Sequence, residues 1–188
     1  WSSDVCSSDL GFLLQRDPAQ NSPGPDDLYW VGTAGQVLRH AIAPDGTHHL
    51  VVHGEARFRV LEFLEGWPFL VARVAWIEDA DSIVPRDLEA KFLQLRDQAV
   101  EAAKLLPNVP SEFADAIRGI ESPGALADLV ANFLDVKPAE KQTLLETFDL
   151  EQRLAKVLTL LAARVSVLRL SKQIGEQTQK AFDERQRE

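Results

Sequence analysis

Four histidines fall close together, at His40, His48, His49 and His53, and imidazoles so grouped could hold a metal ion or relay a proton. With a turn centred on Asp45-Gly46, His40 lies on one strand and the other three lie on its partner. Strand alternation then sends His48 and His49 to opposite faces. Neither a cysteine nor a well-placed carboxylate completes a ligand set, so the group reads as solvated hairpin histidines and no metal is expected. Cys6, the single cysteine, has no basic neighbour to favour its thiolate. Ser171 and Lys172 are a nominal nucleophile and base, but adjacent residues of a helix point in different directions. No GxxxxGK[ST] loop is present, and none of the seven lysines follows a glycine, so the phosphate-cradling backbone and its lysine are both missing. No GxSxG turn occurs either. Catalytic and cofactor-binding residues are therefore expected to be absent.

Binding chemistry is better represented. Trp67 lies between Gly66 and Pro68, with Phe69 just beyond, and Trp30 borders a Pro-rich stretch. Left partly uncovered, Trp30, Trp67 and Phe69 would make apolar surface suited to unfolded polypeptide. The competing reading makes the turn tryptophans lids over a core. Trp76, inside the apolar run Phe69–Ile77, is expected in the core. Acidic clusters at Asp26-Asp27 and Glu78–Asp81 read as solvated loop charge.

Composition limits what else the chain could be. Its 188 residues, 45% apolar and 26% charged, suit one globular domain or a small domain with an appendage. No apolar run approaches the roughly 20 residues of a bilayer-spanning helix. With one cysteine no internal disulfide forms, and a reducing, cytoplasmic setting is expected. Residues 1–150 carry 12 Lys/Arg against 24 Asp/Glu, whereas residues 151–188 carry 8 against 5. So acidic a front disfavours nucleic acid as a partner, because phosphate neutralisation needs a basic face. No methionine occurs, even at position 1, which sets the expectation of a fragment. Residues 1–10, WSSDVCSSDL, repeat Ser-Ser-Asp and follow no period, and are read as a non-native segment.

All ten prolines and nine of ten glycines precede residue 139, so a turn-rich front gives way to a helical tail. Strands are expected over Phe12–Gln15, Val31–His40, Thr47–Gly54, Ala56–Phe63 and Phe69–Ile77, with an irregular loop over residues 18–27 and a hairpin turn at Pro44-Asp45-Gly46. Four or five antiparallel strands at this spacing suggest a small barrel or curled sheet. After Asp79 the period becomes helical. Leu88, Phe92, Leu95 and Ala99 share one face, with Asp87 as the expected cap. Ser111 opens a second helix that stops at Gly119. Ser122-Pro123 opens a third, with Leu126, Leu129, Val130 and Phe133 on one face. Lys137-Pro138 opens a fourth, carrying Leu144 and Leu145. Asp149 and Gln152 form a capping box for the last, whose Leu154, Val157, Leu158, Leu161, Val165 and Leu168 make a continuous stripe. From Asp149 to the end it would reach about 58 Å, with its second half in solvent or continuing into something further.

The order of motifs is similar to a known family. DLYWVGTAGQVLRHAIAPDGTHHLVVHGEARFRVLEF (27–63), with its VGT and PDGT, resembles the core of the substrate-binding domain at the N-terminus of the Lon ATP-dependent proteases. The stretch 110–165, containing SPGALADLVA and KQTLLE, resembles the helical subdomain of that family, and SKQIGEQTQKAFDERQRE resembles the helix leading to its ATPase module. The resemblance implies an α+β fold: a PUA-like antiparallel β pseudo-barrel over 11–80, a helical subdomain over 81–148 and a long helix over 149–188. It implies recognition of misfolded, damaged and regulatory proteins for degradation, and assembly into a homohexamer. The opening LPL…VVFP strand and helix of the family have no counterpart, so the pseudo-barrel is expected to be incomplete at its N-terminus. The ATPase with its ATP and Mg, and the Ser-Lys protease, have none either. A stand-alone interaction module of the same fold and an RNA-binding PUA-like domain are the other readings. Reading frame beyond Glu188 separates the first two; RNA retention tests the third.

Overall fold

A computed structural model describes residues 10–79, 86–106 and 109–185, with side chains through residue 178. The chain divides into two compact units, Trp1–Glu78 and Asp79–Glu188. The first carries all the strands described: β1 (Leu10–Phe12), β2 (Val31–Ile42), β3 (His48–Leu64) and β4 (Val71–Ile77). They form one antiparallel sheet in the order β1-β2-β3-β4. Leu10, assigned from composition to the leading decamer, is the first residue of β1 and pairs with Gly35; residues 1–9 lie outside the described residues.

Two expected strands, Thr47–Gly54 and Ala56–Phe63, are a single strand β3, and β2 runs two residues past His40. The hairpin reverses where expected, with Gly46 at φ 85°. Consecutive apolar residues at Val60-Leu61 break the alternation, and there the ladder slips: Val60 faces Val74 and Glu62 faces Arg73. The slip is a bulge that leaves Leu61 exposed while Val60 stays buried. The sheet unit's buried core is small, Ala34, Phe58 and Val60 with Leu13, Phe63, Ala72 and Val74 packed on it. Among the described residues, β1 covers β2 only at residues 33–35, and β4 meets β3 only from Arg57 onward. The far halves of β2 and β3 are therefore a two-stranded ribbon, which is why Leu38, Ile42, Leu50 and Val51 are exposed. Within the expected irregular loop, Pro25–Asp27 is a turn of 3-10 helix, closed by Asp27 Oδ2 accepting from the Gly24 amide at 2.8 Å.

The second unit holds α1 (Arg86–Leu105), α2 (Ser111–Arg118), α3 (Pro123–Phe133), α4 (Pro138–Leu145) and α5 (Leu150–Arg185). Pro123 and Pro138 open their helices because proline lacks only an N–H that has no partner in the first turn. Ser122 Oγ accepts from Ala125 N at 3.3 Å, and Asp149 Oδ1 accepts from Gln152 N at 2.8 Å. Ser111 does not cap α2: Pro110 holds that position and Ser111 is the first helical residue. Asp87 lies within the first turn of α1 rather than ahead of it. The stripe on α5 packs onto α1 and α3, and Leu95, Leu126, Leu154 and Val157 are fully buried.

One charge sits inside this helical core. The Arg153 side chain is only 1% exposed. It donates through Nη2 to Asp79 Oδ2 at 2.5 Å and through Nη1 to the Thr147 carbonyl at 3.3 Å, and its Nε lies 3.7 Å from Asp128 Oδ1. Asp79 is thus an ion-pair partner rather than the solvated loop charge expected from its acidic run.

Candidate functional site

Trp67 and Phe69 lie in the connection between β3 and β4, where Gly66 and Pro68 force a turn. Strand β4 begins only at Val71, so Phe69 belongs to the turn and not to the expected strand. Among the described residues no layer of side chains covers the rings at this tip. Trp67 is 60% exposed and Phe69 65%, with ring centroids 6.1 Å apart at 38°. Leu70 beside them is also exposed. Covering one such ring with a partner's apolar surface is worth about 1.5–3 kcal/mol.

Trp30 is held differently. Its indole N–H donates to the Pro25 carbonyl at 3.2 Å, and its ring stands edge-on to Phe63 at 5.7 Å. It remains 39% exposed, combining a fixed rotamer with an open face. Its ring contact is with Phe63 and not with the Trp67–Phe69 pair. Trp76, expected in the core, is 56% exposed, and its ring stands edge-on to buried Phe58 at 6.3 Å. Trp76 is the cross-strand partner of buried Phe58 and shares a face with Ala72 and Val74, which pack on the core. It lies on the core side of the sheet but next to the end of β4, where its ring stays open.

The histidines do come together in part. His40 Nε2 and His48 Nδ1 are 2.8 Å apart with nearly parallel rings. That is a hydrogen bond between imidazoles, which occupies both nitrogens with each other. His49 pairs with Ala41 and falls on the other face. Among the described residues, no group of three or more His, Cys, Asp or Glu side chains is placed to hold a metal ion. Ser171 and Lys172 are successive exposed residues of α5, and Cys6 lies outside the described residues. At the hairpin turn, the Thr47 amide donates to Asp45 Oδ1 at 2.9 Å, and this bond, with help from the Thr47 side chain, holds the Asp45 carboxyl below its ordinary pKa.

The family model described as the ATP-dependent protease La (LON) substrate-binding domain matches residues 6–163. The chain belongs to this family. The LON domain is 48% identical over 179 residues to Lon protease of Methylocella silvestris, spanning 95% of this chain and 22% of that protein. It is likewise 48% identical over 180 residues to Lon protease of Phenylobacterium zucineum, spanning 95% of this chain and 23% of that one. It therefore spans about a fifth of the length of these relatives. Among solved structures, the N-terminal domain of Mycobacterium avium complex Lon protease aligns with a TM-score of 0.62 at 21% identity, covering 82% of this chain and 91% of that one. This likeness shows the fold of the LON domain: an antiparallel four-stranded sheet followed by helices, α+β. Among the described residues no helix is long and apolar enough to cross a membrane.

Proposed function

We propose that this LON domain is the substrate-recognition and assembly part of an ATP-dependent serine protease acting in the cytoplasm on misfolded, damaged and regulatory proteins. The observation that carries the recognition role is the exposed Trp67–Phe69 pair at the β3–β4 turn. Two rigid aromatic rings on a short turn lose little conformational freedom on binding and present large apolar area, as interface anchors do. Trp30, pinned by Pro25 and Phe63, is a second anchor. None of these residues does covalent chemistry; the peptide-cleaving dyad, ATP and Mg belong to other modules of such a protease.

The assembly role rests on α5. Beside the stripe that packs into the core, Ala163, Val167, Leu170 and Ile174 recur at alternating four- and three-residue steps. Val167, Leu170 and Ile174 are exposed, which is the spacing of a coiled-coil seam. A second copy of the chain would cover it.

Binding to a permanently unfolded probe, fluorescently labelled reduced and carboxymethylated lactalbumin, tests recognition. The W67A/F69A variant is expected to bind at least tenfold more weakly, and W30A to add to the loss. Unchanged affinity in the triple variant removes these residues as the site.

A further inference from the structure

The second unit contains a cavity that neither the aromatic turn nor the α5 seam uses. It has a volume of about 320 Å³ and opens to solvent between α1, α2, α3 and α5. That is at the lower end of the roughly 300–1,000 Å³ of pockets that enclose small molecules. The hollow exists because α1 presents alanines there, at Ala99, Ala102 and Ala103, where a larger residue would fill the space. Phe113 and Phe133, edge-on at 5.4 Å, form a wall opposite.

Among the described residues a single charged one lines this apolar hollow, Arg164 of α5. It is half-buried, and among the described residues it has no hydrogen-bond or ion-pair partner. The helix itself offers none: positions three and four away on either side are Leu160, Leu161, Val167 and Leu168. Three other arginines of the unit are answered by carboxylates, Arg118 by Asp115, Arg153 by Asp79 and Arg169 by Glu101. A guanidinium stays charged at any physiological pH and presents a fork of donors matched to a carboxylate.

We propose that the cavity is a binding site for an amphiphilic monocarboxylate, an alkyl chain among Ala103, Phe113, Leu129 and Phe133 with its carboxylate on Arg164. A polypeptide main chain fits less well. Each of its residues brings an N–H and a C=O that need partners once buried, and the described lining side chains are apolar apart from Arg164. An alkyl carboxylate brings polar atoms only at its head. The site is independent of the recognition role assigned to Trp30, Trp67 and Phe69, which belong to the other unit.

Calorimetric titration of the full 188-residue chain with sodium decanoate, below its micelle concentration, tests the proposal. Saturable one-to-one binding is expected. R164Q should weaken decanoate at least tenfold while leaving binding of the uncharged 1-decanol within twofold. A103L, which fills the hollow, should abolish both ligands, and circular dichroism checks that each variant keeps its helices. A99L does the same job if A103L unfolds. Equal decanoate affinity in wild type and R164Q overturns the site, and so does the absence of saturable binding. Binding of an apolar, C-terminally amidated peptide to the cavity in place of decanoate, lost in A103L, overturns it in favour of a protein ligand.

Discussion

Gly124 is the second residue of α3, and a Cβ built there would collide with the Asp79 carboxylate and come within 3.3 Å of Arg153 Nη2. The carboxylate thus rests on the first turn of α3, at the positive end of its dipole, while bonded to the buried Arg153 guanidinium. G124A should push the two apart and lower the urea midpoint of the helical unit by the equivalent of about 1–3 kcal/mol, as for other overpacked positions. Breaking a fully buried pair costs about 3–5 kcal/mol. Here Asp79 is a third exposed and Asp128 more than half, so R153M should cost less, about 1–3 kcal/mol. Adding D79N to R153M should restore part of the loss, because the orphaned charge is then gone; an additive double variant contradicts the pairing. Asp45 offers a pH test. Its folded pKa is depressed by the Thr47 amide, so the bond contributes above the unfolded carboxylate value and is lost as pH falls through the folded one. In an NMR titration, the Asp45 carboxyl midpoint should lie below that of a model peptide and the Thr47 amide shift should move with it. In sequence, Gly124 reads only as part of a helix start and Asp79 as loop charge. Their partners lie far along the chain, and no local pattern records a contact across such a separation.

Among the elements, helices were the most legible, because a period of about 3.6 residues and a proline or serine at the start are local signals. Ser122-Pro123, Lys137-Pro138 and Asp149 all mark real helix starts. Phe133 shows where a stripe stops informing: it shares a face with the buried Leu126 and Val130 but is itself exposed beside Phe113, at the mouth of the cavity. Strands were less legible. Gly54 reads as a break between two strands, yet β3 passes through it, opposite Gly35 where the register slips. The 36 residues of α5 extend about 54 Å. Its outer stripe should drive self-association: sedimentation equilibrium of the wild-type chain is expected to show species larger than the monomer, and L170D to shift them to monomer. A wild-type chain that is monomeric at high concentration removes the seam.

At the scale of the molecule, the two units have separate cores of very different size: among the described residues, five apolar side chains are buried in the sheet unit against nineteen in the helical one. All four tryptophans precede Glu78, so indole fluorescence reports the first unit and helical ellipticity mainly the second. L126A removes a fully buried side chain and should cost about 2–5 kcal/mol. The loss should appear in the urea transition followed by ellipticity, with the fluorescence transition little changed. Coincident shifts in both signals would show that the units unfold as one.

Composition and period, which are properties of neighbouring residues, determined the α+β class, the change from strands to helices near Asp79, most helix starts and, through the ordered motifs, the family. They also singled out Trp30, Trp67 and Phe69 by type and turn position. Tertiary structure decided what depends on residues distant in the chain: that Trp76 is exposed, that His40 and His48 bond to each other, that Asp79 meets Arg153, and that Arg164 lines an apolar hollow with no carboxylate partner among the described residues. Burial and charge pairing are set by whatever packs against a side chain, and neighbours in sequence do not specify that.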